Sequence, residues 1–191
     1  MTKKRGLLIV ISGPSGVGKD TLIQRLLEFD PNLRYSVSCT TRAPRPGEVD
    51  GVNYTFLSRE QFEKLIEERA FLEYATYDGN LYGTLTERVE SARNAGHDVV
   101  LKIEVQGAEL VRAKAPDGVF IFVVPPSTRE LQRRQELRNS ESSRDMASRR
   151  KIAEVEMTYA SRYDHVVVND DLERAAAEVL AIINEARARQ T

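Results

Sequence analysis

Ile9-Val10-Ile11-Ser12-Gly13-Pro14-Ser15-Gly16-Val17-Gly18-Lys19-Asp20-Thr21-Leu22 is the stretch on which the fold turns. A short apolar run leads into a glycine-rich turn, and a lysine then opens a helical pattern. Such a loop points successive backbone N–H groups at a polyphosphate. The helix aims the positive end of its dipole at the same anion, and the lysine reaches the outer phosphates. The spacing Gly13-x4-Gly18-Lys19 between a predicted strand and a predicted helix reads as a phosphate-binding loop. We therefore expect Gly13, Pro14, Ser15, Gly16, Val17, Gly18, Lys19, Asp20 and Thr21 to hold a nucleoside triphosphate. One position departs from the pattern: the residue after the lysine, ordinarily a Ser or Thr that ligates magnesium, is Asp20.

Working outward, further apolar runs recur at Val99 to Ile103, Val119 to Val124 and Val166 to Val168, separated by amphipathic helical patterns. This predicts an α/β fold, a P-loop NTPase-type parallel sheet flanked by helices on both faces. Ser58 with Gln61 and Ser127 with Glu130 have capping-box spacing, Thr84 with Glu87 fits a further cap, and Asp30-Pro31 stops the first helix. Residues 34–84 have a different texture, with alternating Tyr35-Ser36-Val37-Ser38, a Pro/Gly turn cluster and many aromatics. We read them as an inserted, partly β subdomain. The remainder divides into a core (1–33, 85–125 and 150–191) and a region of about 126–149.

The composition suits one compact domain: 191 residues with 41% hydrophobic side chains supply a sizeable core. A net charge of −1 gives no general attraction to nucleic acid or to a membrane, and Leu7 to Ile11 is too short for a membrane helix. The expected compartment is the cytoplasm. One cysteine, Cys39, excludes an internal disulfide, and two histidines, His97 and His165, offer no zinc spacing.

The insert contains Ser38-Cys39-Thr40-Thr41-Arg42-Ala43-Pro44-Arg45-Pro46-Gly47-Glu48, followed by Gly51-Val52-Asn53-Tyr54. Arginines three apart and braced by prolines can clamp one phosphate, because guanidinium offers paired planar donors and the rigid turn reduces the entropy lost. With a donor site already present, a second phosphate clamp suggests an acceptor.

Together with Gly83 after Tyr82, Gln106-Gly107 and Val168-Asn169-Asp170, these motifs resemble guanylate kinase over nearly the whole chain. The resemblance implies transfer of the γ-phosphate of ATP to GMP, with a GMP-binding insert at 34–84 and a helical lid at about 126–149. It implies ATP, GMP and Mg2+ as ligands and leaves open dGMP and oligomeric state. By the same correspondence Arg42, Arg45, Tyr54 and Tyr82 hold the GMP phosphate, and Ser38, Glu73, Thr84 and Glu104 read guanine. Asn169 approaches the adenine of ATP. Lys19, Arg42, Arg138 and Arg149 assist the transfer, the last two from the arginine-rich stretch Arg129 to Lys151. The remaining arginines of that stretch fit a salt-bridged surface helix.

Guanine chemistry agrees, since N1–H and the exocyclic amine donate and O6 accepts, matching two carboxylates and two hydroxyls. Adenine would leave the acceptors unpaired, so AMP should be rejected. Glu73, within Phe71-Leu72-Glu73-Tyr74-Ala75, also fits the solvent face of a strand. For the metal, Asp20 is the candidate ligand. Lys102 stands at a strand end where the family often has an acid, so we expect Asp20 and Lys102 to form a compensating pair. A non-catalytic binding module using the acceptor-site arginines, and a kinase for another monophosphate, are the alternatives; Lys19 and the Glu73/Glu104 pair argue against them.

Overall fold

The apolar runs assemble into a parallel sheet. In the computed structural model, which describes residues 4–137 and 152–190, the chain runs β1 (Leu8–Ser12), α1 (Lys19–Phe29), β2 (Leu33–Tyr35), β3 (Cys39–Thr40), β4 (Thr55–Phe56), α2 (Arg59–Glu67), β5 (Phe71–Tyr77) and β6 (Asn80–Leu85). It continues through α3 (Thr86–Asn94), β7 (Asp98–Lys102), α4 (Val105–Lys114), β8 (Val119–Val124), α5 (Thr128–Leu137), a helix α6 seen over residues 152–157, β9 (His165–Val168) and α7 (Leu172–Arg189).

Five strands pair in the order β2-β7-β1-β8-β9, all parallel. The continuous apolar character of β1 follows from burial on both faces. Ile9 and Ile11 face α1 and α7 through Leu22, Leu26, Val179 and Ile183. Leu8 and Val10 face α3 and α4 through Val89 and Val111. Each such fully buried Leu or Ile contributes about 1.5–3 kcal/mol. Arg187 of α7 staples the far end of the sheet, reaching Asp30 at 2.5 Å and the buried Asp98 at 2.6 Å.

A second sheet has the order β4-β3-β6-β5, with β6 antiparallel to both its neighbours. It has its own small core of Cys39, Phe62, Phe71 and Leu81, where the Phe62 and Phe71 rings stack at 4.4 Å. Leu33–Tyr35, expected in part within the insert, pairs instead with β7 in the large sheet. A three-residue strand leaves too short a pattern to be assigned to one sheet or the other.

The capping box of α2 forms, with Ser58 and Gln61 exchanging both bonds. At α5, Ser127 Oγ accepts from the Glu130 N–H at 3.1 Å. The Thr84/Glu87 cap does not form. Thr84 lies inside β6, where pairing with Glu73 takes precedence, and α3 starts two residues later behind Leu85.

Candidate active site

The phosphate-binding loop leaves the C-terminal end of the central strand β1, between the strands to either side, which is where open parallel sheets bind ligands. Gly18 is the N-cap of α1 with φ 99° and ψ 23°, and a Cβ there would lie 2.6 Å from Asn169 Nδ2. Glycine is therefore required twice over, by backbone conformation and by space. No side chain caps α1, so its first N–H groups are directed at whatever the loop encloses. Lys19 is buried, and its ammonium donates to the carbonyls of Gly13 and Pro14.

A cavity of about 520 Å3 opens against the loop. One wall consists of Pro14, Ser15, Gly16, Val17, Gly18, Lys19 and Asp20. Ser38, Arg42, Arg45, Tyr54, Glu73 and Tyr82 form the opposite wall, and Lys102, which ends β7, and Glu104, two residues on, join the two. Of the residues expected in the site, Gly13, Thr21, Thr84 and Asn169 do not line it. Thr21 is on the exposed side of α1. Asn169 lies behind the loop, where its Nδ2 donates to the Val17 carbonyl at 2.8 Å. Arg138 and Arg149, with the second half of the region 126–149, lie outside the described residues.

On the second wall Arg42 is held by Glu48 at 2.9 Å and lies 5.4 Å from the Tyr54 ring centroid. Burial and then the hydrogen bonds from Arg42 and from the Arg45 N–H act on Glu48 in opposite directions, and the bonds prevail, lowering its pKa. The guanidinium is thereby oriented before any anion arrives. Tyr54 and Tyr82 meet edge to face at 5.9 Å.

Glu73 is 4% exposed, so it is not on a solvent face. An irregularity in the β5/β6 register between Phe71 and Glu73 breaks the alternation. Phe71, Leu72 and Glu73 are consecutively buried, Phe71 and Leu72 in different cores and Glu73 in the cavity wall. Thr84 Oγ1 donates to Glu73 Oε1 at 2.6 Å. Burial pushes the Glu73 carboxyl up to about 7, a rise that the Thr84 bond only partly offsets. Gly107 of α4 packs so closely that a Cβ there would stand 2.7 Å from Glu73 Oε2.

Lys102 Nζ donates to Asp20 Oδ1 at 2.5 Å, so the expected pair forms. Its ammonium also lies 5.0 Å from the Tyr54 ring centroid, which places it between the loop and the second wall. Burial works against its charge, and Tyr35, Tyr54 and Asp20 more than compensate, raising its pKa.

Two contributions were not read from the sequence. Arg134 donates to the carbonyls of Val17 and Asn169 and Gln135 donates to Ser15, so α5 supports the loop from outside. Glu156 of α6 enters the cavity beside Glu104 and Lys19. The available signal was helical spacing: Ala153 and Glu156 are three apart and both buried, an acid on an otherwise apolar face.

Among the described residues no three acidic, histidine or cysteine side chains converge. Nor is any described helix long and apolar enough to cross a membrane.

A family model described as guanylate kinase matches residues 5–186. A guanylate kinase of Rubrobacter xylanophilus is 54% identical over 180 residues, covering 94% of each chain. One from Halalkalibacterium halodurans is 51% identical over 183 residues, covering 96% of this chain and 90% of that protein. Among solved structures, a guanylate kinase from Anaplasma phagocytophilum superposes with a TM-score of 0.81 at 36% identity, covering 100% of this chain and 89% of that one. With the phosphate-binding loop and the facing Arg/Tyr wall, these matches establish that the chain belongs to the guanylate kinase family.

Proposed function

We propose that this chain is an ATP:GMP phosphotransferase that converts ATP and GMP into ADP and GDP. The observation that carries this reading is one cavity with a triphosphate-binding loop on one wall and, on the other, an arginine–tyrosine clamp and a buried glutamate. That arrangement suits a donor and an acceptor nucleotide placed phosphate to phosphate. The acceptor's phosphate oxygen attacks the γ-phosphorus of ATP, and the bond to the bridging β–γ oxygen breaks. The negative charge spread over the phosphoryl oxygens is stabilised by fixed cations rather than by a covalent intermediate.

In this reading Lys19 exchanges its loop carbonyls for the outer phosphates of ATP. Arg42, Arg45, Tyr54 and Tyr82 hold the GMP phosphate, Arg42 being pre-aimed by Glu48. Glu73 and Glu104 accept from the guanine N1–H and amine, and Ser38 with Thr84 supplies hydroxyls around them. Thr84 acts through Glu73, whose carboxylate it orients. Asn169 supports the loop from behind.

A magnesium ion fits the donor chemistry. Magnesium is ordinarily held by one or two carboxylates together with substrate phosphates and water, so a three-acid cluster is not required. Asp20 supplies a hard oxygen at the first helical position after Lys19, and its side chain is 60% exposed to the cavity mouth and solvent. Bound there, the ion would neutralise charge on the β- and γ-phosphates. Lys102 balances the charge that the carboxylate adds. A cytoplasmic location belongs to the same proposal, supported by a single cysteine that is buried.

The test is ADP formation from ATP and Mg2+ with GMP, dGMP, AMP, dTMP, UMP or no acceptor. Activity with GMP and none with AMP is expected. Turnover with AMP or a pyrimidine nucleotide at a comparable rate would refute the assignment of Glu73 and Glu104. GMP binding without turnover would instead indicate a binding module.

A further inference from the structure

Glu156 has no part in the scheme above, yet it is 3% exposed and lines the cavity. Its Oε2 is buried without a hydrogen-bond partner, and so is the Oε2 of Glu104 at the N-cap of α4. The two carboxyl groups face each other within hydrogen-bonding reach, and the Ser15 N–H also bonds Glu156. Two carboxylates in such a place do not both ionise, and a proton held between them satisfies one of the bare oxygens.

We propose that Glu156 is a positioning residue for base selection, its protonated carboxyl donating to Glu104 and fixing that group in the orientation that accepts from guanine. The inference rests on the reading of Glu104 as a guanine-facing group. Glu156 then controls GMP affinity without touching GMP, and does so from α6, an element remote in sequence from the acceptor wall. Burial, followed by the charge of Glu104, pushes the Glu156 carboxyl up to about 8. Lys19 and the Ser15 N–H offset this only in part, so Glu156 carries its proton at neutral pH. Beyond Lys19 on α1 and Glu104 on α4, Tyr163 approaches Glu104 from the segment before β9. Burial raises the pKa of its phenol, which stays neutral across the range tested below.

GMP binding to the full chain would be measured by calorimetry without ATP from pH 7 to 8.8, alongside steady-state kinetics, for wild type, Glu156→Gln and Glu156→Ala. Glutamine retains a donor and does not titrate. Its GMP Kd should stay within about threefold of wild type at pH 7, and it should lack the weakening that wild type shows as pH passes 8. Loss of a hydrogen bond to a charged group by Glu156→Ala should weaken GMP about tenfold or more while the KM for ATP changes less than about twofold. Since titration of GMP itself affects wild type and Glu156→Gln equally, the difference between their curves isolates Glu156. An alkaline limb unchanged in Glu156→Gln, an unaltered GMP Kd in Glu156→Ala, or equal losses for both nucleotides would overturn the proposal. Wild type that binds GMP but forms no ADP would remove the phosphotransfer reading while leaving this test intact. Absence of GMP binding would remove both.

Discussion

Asp20 occupies the position where phosphate-binding loops ordinarily present a hydroxyl, and its carboxylate is held by Lys102 at 2.5 Å. Either residue alone would put an unbalanced charge beside the phosphates; together they add none. The coupling is measurable. Asp20→Ser and Lys102→Asp should each lower the rate and alter the Mg2+ dependence of ATP binding. The double variant should recover most of the loss, with an interaction energy above about 1 kcal/mol. Additive losses in both readouts would show two independent defects. This pair was legible from residue identity, since two departures of opposite sign fell at the start of α1 and at the end of the neighbouring strand β7. Glu156 was not, because an isolated acid in a helical stretch acquires meaning only when folding sets it against Glu104.

α4 packs closely against β5. Gly107 lets the helix approach Glu73, and Lys114 Nζ donates to the Leu72 carbonyl at 2.5 Å, so one helix fixes both the glutamate and the backbone that carries it. Gly107→Ala should displace the Glu73 carboxylate and raise the KM for GMP about tenfold, a loss on the scale of one charged hydrogen bond, with the KM for ATP nearly unchanged. An unchanged GMP KM would show that the carboxylate has room to move aside. The core strands announced themselves by unbroken apolar runs and their helices by 3.6-residue periodicity. Short elements did not: β2, β3 and β4 have two or three residues each, fewer than a period-2 pattern needs. The β5 irregularity was equally hidden, because alternation in sequence says nothing of an extra residue in the ladder.

For the molecule as a whole, two buried carboxyls shape the pH dependence of stability. Glu73 and Glu156 are raised by burial to about 7 and about 8. Between the ordinary glutamate value of about 4.5 and these values the folded state holds protons that the unfolded chain has released. Their contribution is therefore complete below about pH 4.5 and lost as pH rises through 7 to 8. Carboxyls with lowered values, such as Glu48 and Asp170, are already ionised in both states above pH 5 and leave the slope unaltered. The melting temperature of wild type should fall by several degrees from pH 5 to pH 8.5, and Glu73→Gln/Glu156→Gln should show a distinctly flatter profile. Parallel profiles would mean that neither group retains a proton when folded.

The aromatic wall of the cavity has an optical consequence. The chain contains no tryptophan and seven tyrosines, and four of these, Tyr54, Tyr77, Tyr82 and Tyr159, border the cavity. More than half of its tyrosine emitters therefore stand where nucleotides would bind, and the protein carries its own spectroscopic reporter of occupancy without a label.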